Sequence, residues 1–234
     1  TVSGVANAAL SDDNGMFRWY VENGIYDIKF YDANDTFVTS EAGVPMYDSG
    51  AVLVDLASRI RPGVDVLFLD TGYHFAETLG TADAYASSRP LRLLTVTPEQ
   101  TVDEQDAHYG AQLHRRDPDL CCRLRKVEPL ERTLAGRDAW VTGMRRVDAP
   151  TRSDIEIIGV DAKWDMVKVN PLALWTEEQT QDYARNNAVL LNPLRQAGYA
   201  SIGCAPCTRP TAPGEDPRAG RWSGTGKTEC GLHV

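Results

Sequence analysis

Between residues 51 and 187 two hydrophobic patterns take turns along the chain. Residues 51–60 (AVLVDLASRI) predict an apolar helix, closed by Arg61-Pro62-Gly63. Residues 64–69 (VDVLFL) follow as a near-continuous apolar run, the mark of a strand buried on both faces of a parallel sheet. Asp70-Thr71-Gly72 ends that strand, and residues 73–79 start a helix. Residues 91–96 predict the next strand and residues 101–112 a polar helix. Short strands are expected at 139–142, 155–160 and 166–169, the last leading into Asn170-Pro171-Leu172. Residues 176–187 predict a helix capped by Thr176, with Glu177 and Glu178 in the first turn, where carboxylates complement the exposed N–H groups. Residues 17–30 alternate apolar and polar positions without settling on one period, and residues 32–43 read as loop.

Strand–helix alternation over residues 51–170 predicts an α/β fold with a doubly wound parallel sheet, which binds ligands beyond the carboxyl ends of its strands. Asp70-Thr71-Gly72 and Thr142-Gly143 fall at such ends, and Arg145 and Arg146 follow directly. The composition changes at residue 203. Residues 203–234 hold six Gly, four Pro and three Cys. The chain therefore divides into an α/β domain over 1–202 and an irregular tail over 203–234 that folds back on it.

With 42% hydrophobic and 24% charged residues, the 234-residue chain can bury an ordinary core. No apolar run approaches the roughly 18 residues of a membrane span. The opening TVSGVANAALSDDNG lacks the basic-then-apolar order of a signal peptide. The expectation is a cytoplasmic protein, where cysteines are commonly reduced. A net charge of −9 argues against a nucleic-acid partner. The charge is uneven: residues 1–120 carry 8 Lys+Arg against 19 Asp+Glu, and residues 121–234 carry 16 against 14. The basic clusters of the second half (Arg123, Arg125, Lys126; Arg145, Arg146, Arg152; Arg218, Arg221) suit a compact anion better than a duplex. Taken singly, each is also what a solvated face carries.

The five cysteines carry the most specific signal. Cys121 and Cys122 are adjacent, Cys204 and Cys207 form a CxxC, and Cys230 lies in a Glu-Cys-Gly-Leu-His stretch near the end of the chain. Four thiolates are what an iron–sulfur cluster or a closed zinc site needs. Adjacent cysteines strain a single tetrahedral ion because neighbouring side chains diverge, whereas the irons of a larger cluster sit at separate corners. This favours a 4Fe-4S cluster over zinc, with buried structural thiols and disulfides as lesser alternatives. Lys126 either tunes an anionic cluster and reaches an anionic substrate or is a solvated lysine. Cys230 follows Gly224-Thr225-Gly226-Lys227-Thr228. That approach is flexible, and Lys227 and His233 favour a thiolate; a free cysteine on a frayed tail is the other reading. His74, after a strand end, either contacts a ligand or, as a lone histidine more often does, packs with its polar atoms satisfied. The chain has no GxGxxG and no P-loop motif.

These motifs together resemble the assimilatory adenylyl-sulfate (APS) reductases of bacteria, the actinobacterial branch in particular. The likeness is carried by CCRLRKVEPL at 121–130, IGCAPCT at 202–208, ECGLH at 229–233, LDTGYHF at 69–75, WVTGMRR at 140–146 and RAGRW at 218–222, and it covers about residues 51–234. It implies an adenine-nucleotide α-hydrolase-like fold and a 4Fe-4S cluster on Cys121, Cys122, Cys204 and Cys207. It also implies a nucleotide-binding role for the α/β domain and a catalytic Cys230. The activity implied is reduction of adenosine 5′-phosphosulfate to sulfite and AMP in sulfate assimilation, through an S-sulfocysteine on Cys230 that thioredoxin resolves. By position, Lys126, Arg145, Arg218 and Arg221 would hold the phosphosulfate, and Leu69, Thr71, Gly143 and Trp222 would lie around the nucleotide. Residues 44–50 (VPMYDSG) depart from the Ser-x-x-x-x-Asp loop of that family. Ser49 and Gly50 are left to form a small anion-binding nest, and Pro45 removes a donor. Two other readings stay open: a reductase of the 3′-phosphorylated nucleotide, and a non-catalytic iron–sulfur nucleotide-binding protein. A homo-oligomer is compatible with the sequence.

Overall fold

The structure, a computed structural model, describes residues 18–22, 25–29, 38–41 and 48–232. β1 (Arg18–Glu22) and β2 (Ile25–Lys29) form an antiparallel pair separate from the main sheet. The main sheet has six strands. β3 (Val38–Glu41), β4 (Val64–Leu69), β5 (Leu91–Val96), β6 (Ala139–Val141), β7 (Ile158–Asp161) and β8 (Met166–Val169) lie in the order β5-β4-β3-β6-β8-β7. Every pairing is parallel except that of β7, which runs antiparallel along one edge. From β3 the chain builds β4 and β5 to one side, then returns to lay β6 on the other. The crevice of an open α/β sheet lies at such a reversal, beyond the carboxyl ends of the strands.

Alternation along the strands sends side chains into two cores. Val64 and Val66 of β4, Val141 of β6 and Val169 of β8 pack with helices α1 (Asp48–Ile60) and α7 (Glu177–Asn186) and with Tyr85 of α2 (Ala76–Ser88). Leu67, Leu69, Trp140 and Met166 point to the opposite face. There they meet Leu130 and Leu134 of α6 (Glu128–Leu134), together with Trp222, Cys230 and Leu232 of the tail. The tail is thus part of the second layer. No helix among the described residues is long and apolar enough to cross a membrane.

The expected helix at 101–112 is the shorter α3 (Val102–Tyr109), and that at 176–187 is α7. Both open with a capping box: Glu104 returns to Thr101, and Gln179 to Thr176. Two expectations need correction. Residues 38–41 lie in the stretch read as loop, yet they form a central strand. Four residues are too few to show a period, and the pairing comes from the strands on either side. Residues 113–138, for which the pattern predicts no element, hold α4 (Leu113–Arg116), α5 (Pro118–Cys122), a turn of π-helix (Arg123–Val127) and α6. The start of α5 had a signal in Asp117-Pro118: Asp117 Oδ1 accepts from Leu120 N (2.9 Å), and Pro118 occupies the first turn. Residues 42–47 and His233 lie outside the described residues; Ser49 and Gly50 are buried in the first turn of α1.

Asp55 ties three helical segments together in the first core. Its carboxylate is fully buried. It pairs with Arg59 (2.7 Å) and Arg89 (3.0 Å) and accepts from Tyr183 Oη (3.0 Å). Removing one partner of a buried pair strands the others. Asp55→Ala is expected to lower the unfolding free energy by about 3 kcal/mol, seen as a lower urea midpoint with an unchanged m-value.

Candidate functional site

The loop that follows β4 organises the site. Asp70 Oδ1 accepts from Gly72 N (2.9 Å), an Asx turn that folds the chain back beyond the strand end. Gly72 has φ of +72°, and a Cβ there would lie 2.9 Å from the Arg125 guanidinium. That close approach lets Arg125 Nε donate to Thr71 O (2.5 Å) while Nη1 donates to Gln105 Oε1 (3.0 Å) and the guanidinium lies over the Tyr73 ring (5.1 Å). The loop also holds the CxxC: Ala205 N donates to Tyr73 O (2.7 Å), and Thr71 Oγ1 and Cys204 Sγ are 3.3 Å apart. One turn of chain therefore fixes both cysteine motifs, Cys204–Cys207 directly and Cys121–Cys122 through Arg125.

Cys121, Cys122, Cys204 and Cys207 line one narrow cavity with Tyr73, His114, Arg125, Lys126 and Trp222. None of the five cysteines is in a disulfide, and all but the partly exposed Cys207 are buried. Among the described residues, no three His, Cys, Asp or Glu groups converge closely enough to hold a single ion. Burial, with the neighbouring sulfurs, pushes the Cys121 thiol up to about 12 and Cys207 up to about 11, and burial also raises Cys122. Thiols so crowded resist ionising together. Lys126 lies among them, wholly enclosed. Burial opposes its charge, but the sulfurs of Cys204, Cys122 and Cys230 outweigh that and hold its pKa above the ordinary lysine value. The donor set, four thiols beside an enclosed ammonium, fits a thiolate-ligated centre of net negative charge.

Trp222 forms the floor on the tail side. It is buried and held at φ of +46°, a left-handed conformation uncommon outside glycine that marks functional sites when the surroundings enforce it. The Trp222 N–H donates to Cys207 O (2.9 Å), and its carbonyl accepts from Thr225 N (2.9 Å). Three cations surround its ring: Arg221 at 4.5 Å, Lys227 at 5.7 Å and Arg218 at 5.9 Å. Arg221 Nη1 donates to Ile202 O (3.2 Å), and a Cβ on Gly203 would sit 2.2 Å from its Nη2. Glycine at 203 is what lets the guanidinium lie against the CxxC backbone.

The structure thus brings together the four predicted cysteines, Cys230, Lys126, Arg218, Arg221, Thr71 and Trp222. Leu69 is buried in the core below, its carbonyl accepting from His74 Nε2 (2.8 Å). Gly143 lies half-buried at the carboxyl end of β6. Arg145 is not part of the group. Its donors are spent on Asp148 (Nε 3.0 Å, Nη2 2.7 Å), Glu177 (2.8 Å) and Thr180 Oγ1 (2.7 Å). His114 and Glu229 are residues that the sequence did not single out, and Arg125 and Arg152 stood there only as members of basic clusters. Arg125 carried one signal, standing four positions beyond Cys121 and so on the same helical face. An open groove of about 380 Å³ beside the cavity reaches Cys207 and Trp222 from solvent between His114, Arg115, Arg209 and Gly224.

The phosphoadenosine phosphosulfate reductase domain family matches residues 47–210. An adenosine 5′-phosphosulfate reductase of Mycobacterium tuberculosis is 61% identical over 184 residues, 79% of this chain and 72% of that protein. One from Streptomyces coelicolor is 58% identical over 183 residues, 78% of each. Among solved structures, the phosphate complex of the phosphoadenylyl-sulfate (PAPS) reductase of Candida auris aligns with a TM-score of 0.63 at 30% identity, over 76% of this chain and 86% of that one. The FMN adenylyltransferase of Candida glabrata aligns at 0.54 with 16% identity, over 74% and 56% of the two chains, a likeness of fold alone.

Removing the Arg125 guanidinium leaves the Thr71 carbonyl and the Gln105 amide unsatisfied in the interior. Arg125→Ala is expected to cost about 3 kcal/mol of stability. Arg125→Lys should recover less than half, because an ammonium cannot reach two separate acceptors while lying flat on the Tyr73 ring. Urea unfolding of the three proteins checks both statements.

Proposed function

Because this chain belongs to the phosphoadenosine phosphosulfate reductase domain family, we propose that it reduces adenosine 5′-phosphosulfate to sulfite and AMP, with Cys230 as the nucleophile. The observation that carries the reading is the docking of Cys230 beside Cys122 and Trp222, among the cations Lys126, Arg218, Arg221 and Lys227. The mycobacterial and Streptomyces relatives bear the name of the 5′-phosphosulfate enzyme. Cys121, Cys122, Cys204 and Cys207 would hold a 4Fe-4S cluster, in keeping with four unpaired thiols on one cavity and a lysine buried among them. When bound, the cluster supplies compact negative charge on ligated thiolates beside Lys126.

The chemistry follows from what the chain offers. Lys126, Arg218 and Arg221 screen the repulsion between an approaching thiolate and a sulfonucleotide anion, a task that needs preplaced positive charge. The Cys230 thiolate attacks the sulfate sulfur. A sulfur–sulfur bond forms, the bond from sulfur to the phosphate-bridging oxygen breaks, and AMP leaves with that electron pair. The product on the enzyme is a thiosulfonate. A thiol of an external dithiol then attacks the Cys230 sulfur and expels sulfite. Its partner thiol then attacks the mixed disulfide, closing the dithiol's own disulfide and releasing the Cys230 thiolate, so the dithiol supplies two electrons. Thioredoxin is the reductant we assign, and a cytoplasmic setting suits five cysteines free of disulfides. Thr71, at the end of β4, and Gly143, at the end of β6, flank the crevice at the strand reversal, where the nucleotide belongs.

The test is mass spectrometry of anaerobically purified protein incubated with adenosine 5′-phosphosulfate and no reductant. An SO₃ adduct on the Cys230 peptide is expected; an adduct elsewhere, or none with the metal centre intact, sinks the assignment. Cys230→Ser should abolish adduct and sulfite while leaving the iron content unchanged. The same protein should contain iron and acid-labile sulfide at about four each per chain, and stoichiometric zinc in their place would overturn the cluster.

A further inference from the structure

An unbroken line of opposite charges runs from the carboxyl end of β6 to the residue before Cys230. Arg145 grips Asp148 and reaches Glu177 on α7. Asp148 Oδ2 faces Arg152 Nη1 at 3.7 Å. Arg152 then forks onto Glu229, Nε to Oε1 (3.2 Å) and Nη2 to Oε2 (3.0 Å). Thr151 Oγ1 donates to Oε1 (3.1 Å). Arg218 Nη2 donates both to Glu229 Oε2 (3.2 Å) and to the Thr228 carbonyl (2.8 Å). The side chains of Arg145, Asp148 and Arg152 are at most 4% exposed, and that of Glu229 is 11% exposed.

We propose that Glu229 is a positioning residue for Cys230, and that Arg152, braced by Asp148 and Arg145, is the wall on which it docks. The proposal rests on the reading of Cys230 as nucleophile, and it gives Arg145 a place one step back from the substrate. Three lines of reasoning carry it. A buried carboxylate costs free energy unless it is fully paired, so an apolar residue would serve better if the tail only had to pack. The fork fixes the direction of the Glu229 side chain as well as its distance, and so fixes the peptide that carries the thiol. The clamp is also redundant. Each carboxylate oxygen accepts from Arg152 and from one other donor, so Arg218 can turn to an arriving anion while Arg152 and Thr151 keep the tail seated.

The experiment compares wild type, Glu229→Gln, Arg152→Gln and the double variant, each as the holoprotein. Two rates are read: alkylation of Cys230 by iodoacetamide, followed on its peptide, and single-turnover S-sulfonation with adenosine 5′-phosphosulfate. Each single variant should alkylate at least about tenfold faster. S-sulfonation at saturating nucleotide should fall by a similar factor, and the half-saturating concentration should move less than about threefold. The double variant should be no worse than the more damaged single, because both remove one contact. Arg152→Lys, which keeps the charge without the fork, should fall between. Wild-type alkylation rates in both single variants, or a loss confined to half-saturation, would overturn the proposal. If Arg152→Gln fails to fold, Glu229→Gln carries the test alone, with circular dichroism and iron content as controls. Absence of any adduct in wild type would remove the functional reading, while the alkylation comparison would still decide the clamp.

Discussion

A lysine ammonium enclosed among cysteine sulfurs is the constraint around which this molecule is built. An unpaired charge in the interior costs several kcal/mol, and the groups acting most strongly to offset that cost at Lys126 are the sulfurs of Cys204, Cys122 and Cys230. Burial, with the neighbouring sulfurs, in turn holds the Cys121 and Cys207 thiols well above the ordinary range. Each half of the arrangement is unfavourable by itself. Lys126, set among sulfurs of all three segments, ties the cysteine helix, the CxxC and the tail into one electrostatic unit. The Arg125 brace keeps that unit in register with the sheet, since it reaches the turn beyond β4 from the same helix that carries Lys126.

The helix that carries the cysteine pair is bent to its task by its own sequence. Pro129 has no N–H to give the carbonyl of Arg125, four positions back, and its ring crowds that oxygen. The chain answers with a wider turn, in which Glu128 N–H reaches back five residues to Arg123 O. Such turns recur where a helix must present functional groups. Here Arg125 and Lys126, neighbours in sequence, are both buried, one against the β4 loop and the other among the sulfurs.

What could be read from the chain follows the reach of the interactions. The buried strand 64–69 and the capped helix at 176–187 were legible because their signals are local: an apolar run, and a capping Thr followed by two Glu in the first turn. The four cysteines and Cys230 were legible because their residue type has few other uses in such a pattern. The central strand 38–41 was not, since four residues draw their order from partners far along the chain. Nor was the role of Glu229. A glutamate next to a cysteine reads as solvated until Arg152, 77 positions away, is seen to fork onto it. Arg145 shows the same limit from the other side. Its place after a strand end points to a ligand, yet Asp148, Glu177 and Thr180 fill its donors.

The tail has to satisfy two demands that pull in opposite directions. Seated, it completes a core: Leu232 is fully buried and Cys230 nearly so. On the proposed mechanism, the thiol must leave that core to meet a protein reductant. Burying a leucine-sized side chain is worth about 1.5–3 kcal/mol, and a charge-assisted hydrogen bond about 1.5–3 kcal/mol net. Undocking residues 227–232 then costs about 3–6 kcal/mol, which corresponds to an open population between roughly 0.5% and 0.005%. A reductant that binds only the open tail loses apparent affinity by that fraction. The balance is workable because the holding forces are divided. Leu232 supplies a non-directional term, and Glu229 and Lys227, both just before Cys230 in the chain, supply ionic terms to Arg152 and to Asp119. A tail held by apolar burial alone would seat without fixing the direction of Cys230. One held by salt bridges alone would lack the core contact that keeps water from the reacting sulfur.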